Sequence, residues 1–186
     1  MTPAIHRHLF ASLIFLSILT SQNAVARQTE TAKPATPVQQ EVASPIDLTE
    51  FEWVTMSPSA ARAKFEMPTK PRYVERKFTP VPGVAPIKVK LYLSSPDKGL
   101  SSFVFSYHDL HERPRGTKGI KNTLEGAVSG SIANVTGQIL SETQEIKFKN
   151  APGRQFVYGF QQTDGKKFVV ISRVYLKNRR LYQLSA

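Results

Sequence analysis

Cysteine is absent from the 186 residues, and that one absence excludes disulfide staples, thiolate metal sites, a lipoprotein attachment thiol and cysteine nucleophiles. Long apolar runs are missing as well. A membrane-spanning helix needs roughly 20 apolar residues; the stretch from Leu9 to Leu19 falls well short, and no later segment is long and apolar enough. Acidic residues are scarce beside basic ones, 14 Asp and Glu against 25 Lys and Arg, for a net charge of +11. Such a surplus favours encounter with anionic partners and speaks to association rather than to mechanism.

What is present begins with a three-part leader. A short segment carrying Arg7 between His6 and His8 leads into the apolar run, and Ala24 and Ala26 form an A-x-A site before Arg27. Residues 1–26 thus have the layout of a secretory signal peptide, which predicts cleavage near Ala26 and a secreted or periplasmic product. Cleavage removes one cation and no acid, so the mature chain stays basic. Residues 27–50 are rich in Gln, Thr, Ala and Pro and contain no aromatic side chain, as expected of a flexible linker. The remainder, 51–186, suits a single domain.

In that domain the hydrophobic period is mostly two. Phe65 and Met67 stop at Pro68-Thr69-Lys70-Pro71, a second run spans Arg72 to Phe78, and Ile87, Val89, Leu91 and Leu93 alternate with polar residues. Phe103, Phe105 and Tyr107 predict the next strand. The period then becomes helical: Leu124, Ala127, Val128, Ile132 and Val135 share one face, with Asn122 and Glu125 spaced as a capping box and Gly137 placed to end the helix. Strands resume at Ile146 and Phe148 and at Phe156, Tyr158 and Phe160, with Ala151-Pro152-Gly153 read as a turn. Phe168 to Ile171, apolar at every position, suits a strand covered on both sides. Val174 to Leu176 extends it, Asn178-Arg179 supplies a two-residue hairpin turn, and Leu181 to Leu184 returns. Strands before and after one helix predict an α+β fold, an antiparallel sheet of about six to eight strands with the helix packed across one face.

The run Phe65 to Pro71, the helix, Ala151 to Gln155, and the closing segments Arg173 to Leu176 and Arg180 to Leu184 resemble uncharacterised secreted bacterial domains similar to the PsbP-like sandwich. That resemblance implies a docking or accessory role and carries no catalytic residue or cofactor with it.

No catalytic motif accompanies this frame. There is no G-x-S-x-G turn, and Ser129-Gly130-Ser131 lacks the P-loop pattern. His108 and His111, beside Asp109 and Glu112, are the nearest approach to a metal-ligand set, but residues three apart in a strand face opposite ways. Arg113, Arg115, Lys118 and Lys121 lie within nine residues immediately before the expected helix, where free backbone N–H groups also favour an anion, and are the expected anion or partner contacts. The reading is an exported, non-enzymatic docking domain that prefers anionic partners, an envelope protein or acidic surface rather than nucleic acid. The alternative is a carrier of a small ligand or metal, using the space between helix and sheet.

Overall fold

A computed structural model describes residues 51–79, 85–97 and 101–186; the expectations for the leader and linker lie outside these residues. The chain forms β1 (Trp53–Met56), a 3-10 turn (Ser59–Ala61), β2 (Phe65–Pro68), β3 (Arg72–Phe78), β4 (Ile87–Ser94) and β5 (Phe103–Asp109). Helix α1 (Gly116–Ala133) follows, then β6 (Gln138–Ile139), β7 (Gln144–Phe148), β8 (Ala151–Gln161), β9 (Lys167–Lys177) and β10 (Arg180–Ser185). Eight strands make one antiparallel sheet in the order β3-β4-β5-β10-β9-β8-β6, with β7 also paired to β8, while β1 and β2 make a separate hairpin. The fold is α+β.

Directly paired residues of antiparallel strands share a side of the sheet, so register assigns the two sides. Towards α1 point Ile87, Val89 and Leu91 of β4, Phe156 and Tyr158 of β8, Val174 and Leu176 of β9 and Leu181 of β10. These pack with Leu124, Ala127 and Val128 of the helix into the larger core. Burial of such side chains contributes about 1.5–3 kcal/mol each, which explains why a helix holding Gly126 and Gly130 is stable against the sheet. On the outer side, Phe65, Met67 and Ala61 of the hairpin layer cover Tyr92, Phe105 and Tyr107 in a smaller, aromatic core.

The helix departs from its expected start. It opens at Gly116, after Arg115 in extended conformation, with no side-chain cap and no acidic residue in its first turn. Asn122 and Glu125 therefore lie inside the helix, and their spacing is no capping box. No proline lies between Gly116 and Lys121 to delay the start; Pro114 stands ahead of the N-cap Arg115, outside the helix. At the other end Thr136, at φ 51°, takes the left-handed position; Gly137 N–H donates to Ile132 O at 2.9 Å and Thr136 N–H to Ala133 O at 3.2 Å, a Schellman closure.

Two further readings need correction. Ala151-Pro152-Gly153 is the start of β8, paired with β7, and the turn is Lys149-Asn150, with Lys149 at φ 53°. Gly153 is required there by contact: a Cβ would stand 2.4 Å from Val174 O and 2.7 Å from the Tyr175 ring. The segment Phe168 to Ile171 lies inside the sheet, between β10 and β8, but only its helix side is covered. Val169 and Ile171 point outward and are 65% and 52% exposed.

Candidate functional site

Register brings one set of connections to one end of the sheet. Asp109 pairs with Arg180, Arg180 with Lys177, Tyr175 with Gly153, and Ala151 with Phe148, so the β5–α1 segment, the β9–β10 turn and the β7–β8 turn lie at the same end. The facing ends of β3 and β4, where Lys77 pairs with Lys88, belong to it too. A backbone and a side-chain contact join these segments: Leu110 N–H donates to Arg179 O at 2.7 Å, and His111 Nε2 lies 3.1 Å from Ala85 O.

This end is cationic. Arg113, Arg115 and Lys118 come from the β5–α1 segment and the first helical turn, Lys147 and Lys149 from the β7–β8 hairpin, and Lys177 and Arg179 from the β9–β10 turn. All are exposed, and none is in an ion pair among the described residues. Carboxylates on the same strand ends and loop are Asp109, paired with Arg180, Glu145, paired with Arg154, Glu75 and Glu112. The N-terminus of α1 adds its partial positive charge, and its first turn holds no acidic residue. Like charge gathered this way is an electrostatic cost to the folded state, relieved when an anion binds.

Of the four cations expected from sequence, the structure gathers Arg113, Arg115 and Lys118 here. Lys121 lies a turn further along α1, 3.7 Å from Glu125 in an i,i+4 pair. Sequence proximity does not single out Lys147, Lys149, Lys177 and Arg179, the first two of which alternate with Ile146 and Phe148 as solvent-facing strand positions do. The available signal was their position beside short turns. Joining those turns into one surface required the strand order.

Arg180 serves the scaffold. Its Nε and Nη2 donate to the two Asp109 oxygens at 2.8 Å each, Nη1 donates to Ala60 O at 2.7 Å, and the guanidinium lies 5.1 Å from the Tyr107 ring centre. It locks the hairpin layer onto the sheet. The Arg180 hydrogen bonds hold the Asp109 carboxyl below its usual range, and the same bonds raise the guanidinium pKa. Burial pushes the Tyr107 hydroxyl up to about 12.

The structure separates the two histidines. His108 faces the helix side and is 2% exposed, its Nε2 without a hydrogen-bond partner, and burial pushes its pKa down to about 4. His111 is exposed in the loop. Among the described residues no group of three or more His, Asp and Glu is placed to hold a metal ion. Near His108 in sequence register, Gln183 Nε2 donates to Ser172 Oγ at 3.0 Å and to Ser131 Oγ at 3.2 Å, which pins the helix to β9 and β10.

Beside α1 runs an open groove of about 650 Å³ with Val128, Ile132 and Ile139 in its lining, together with the ion pairs Lys121–Glu125 and Arg154–Glu145, the latter at 2.7 Å. No helix among the described residues is long and apolar enough to cross a membrane. Comparison of the chain with protein-family models, curated proteins and solved structures finds no match.

Proposed function

We propose that this chain is an exported, non-enzymatic docking domain that engages an anionic partner through the cationic end of its sheet. One observation carries this reading: separate connections, distant in sequence, deliver unpaired Lys and Arg side chains to a single surface beside an uncapped helix N-terminus. Export rests on the leader-like residues 1–26. The same reading takes the helix-on-sheet arrangement as a PsbP-like sandwich, a fold suited to accessory roles.

Retention on an immobilised polyanion tests it. Replacing Arg113, Arg115, Lys147, Lys149, Lys177 and Arg179 with Ser should lower the eluting salt concentration sharply. Neutralising Lys70, Arg72, Lys166 and Lys167, at the opposite end of the sheet, should lower it far less per charge removed. Equal loss per charge from the two sets would reduce the effect to diffuse net charge and end the proposal.

The groove beside α1 favours a second reading, a small-ligand carrier, because an apolar floor under opposed charges accommodates a compact amphiphile. Salt separates the readings: docking at the cationic end weakens as ionic strength rises, and binding over an apolar floor persists.

A further inference from the structure

Resting on the docking reading above, we propose that the anionic partner is a lipid bilayer with anionic headgroups, and that the β7–β8 hairpin tip enters its interface through Phe148. Phe148 is 62% exposed and is the last strand residue before the Lys149-Asn150 turn. Cations flank it on both sides in sequence, Lys147 and Lys149, and the Lys149 ammonium lies 5.9 Å from the ring centre. Its aromatic neighbour is Tyr175, edge-on at 6.1 Å, so one side of the ring is supported and the rest meets solvent.

An exposed aromatic ring between lysines beside a turn has the chemistry of a membrane interface, where the ring sits at headgroup level and the ammonium groups meet phosphates. The neighbouring connections supply more of the same charge at the same end: Lys177 and Arg179 from the β9–β10 turn and Arg113 and Arg115 from the segment before α1. Asp109, the carboxylate on the adjoining strand end, is already neutralised by Arg180. A planar fluid surface asks only for charge complementarity and an insertable side chain, and this end has both. The exposed Val169 and Ile171 lie towards the opposite end of β9 from Lys177, about 20–26 Å away at a strand rise of about 3.3 Å per residue, and take no part.

Vesicle flotation of the chain as processed by an exporting host provides the test. Phosphatidylcholine vesicles containing about one third phosphatidylglycerol should carry the protein, neutral phosphatidylcholine vesicles should not, and salt near 1 M should release it. Phe148→Ser should weaken binding about tenfold or more with the thermal midpoint unchanged, and Lys149→Ser about fivefold. Phe148→Trp should retain binding and show a blue shift of its added emission, over the Trp53 background, when anionic vesicles are present. Absence of binding to anionic vesicles, undiminished binding by Phe148→Ser, or no shift in Phe148→Trp would overturn the bilayer assignment. Retention on the polyanion column without flotation would leave the docking reading standing and remove the bilayer; loss of both would remove both.

Discussion

Over β4, β5 and β10 the outer side of the sheet carries aromatic rings beneath a second layer, whereas over β8 and β9 it carries aliphatic side chains, cations and the Tyr175 ring with no second layer above them among the described residues. The strands on the two halves have the same period. On the covered half Phe65 stacks on Phe105 at 3.8 Å between ring centres, Arg180 reaches up to Ala60 O, and Tyr182 donates to Ala61 O at 3.0 Å. On the bare half Val169 and Ile171 are open, and Arg173 turns to Gln155 at 2.6 Å. The contrast teaches that apolar alternation commits a residue to a side of the sheet without saying whether that side will be covered.

Three variants probe the contrast. The largest effect is expected at Phe65, where the ring is 7% exposed and holds the hairpin layer in place. Phe65→Ala should cost about 3–5 kcal/mol, within the range for a buried Phe, measured by urea unfolding. A loss under about 1 kcal/mol would mean that the hairpin layer contributes little and that the two halves are energetically alike.

A smaller effect tests how dry the covered half is on its reverse side. His108 follows Tyr107 on β5 and faces the helix. Its folded pKa, about 4, lies below the ordinary value of 6.5. Between those values the unfolded chain binds a proton that the folded chain does not. Stability is therefore complete above pH 6.5 and falls as pH drops towards 4, by up to about 3 kcal/mol. His108→Leu should flatten that slope in denaturation curves taken across the window; an unaltered slope would show the site to be wet.

The smallest effect belongs to the bare half. Val169→Ser with Ile171→Ser should alter stability by about 0.5 kcal/mol or less, as exposed positions do. A loss approaching that of Phe65→Ala would show that something covers this half in solution.

Much of this fold was legible in the sequence. The strands around Ile87, Phe105, Phe156, Val174 and Leu181 follow from a period of two, and the buried face of α1 from Leu124, Ala127 and Val128 at helical spacing. Local errors have local causes. The Asn122 and Glu125 spacing imitates a cap inside a helix that already begins at Gly116, and Gly153 resembles a turn glycine although the close approach of Val174 O accounts for it. Arg113, Arg115 and Lys118 stand close together in the sequence itself, whereas Lys149 and Lys177 join them at one end of the sheet only through strand order.

The sequence by itself determined the period of each segment, the positions of most turns, the basic balance and the lack of thiol chemistry, because each is a property of neighbouring residues. Only the tertiary structure decided which turns share an end and which half of the outer side is covered. Strand order and register are set by contacts between residues far apart in the chain, and an outward valine has the same local pattern whether a hairpin or water lies above it.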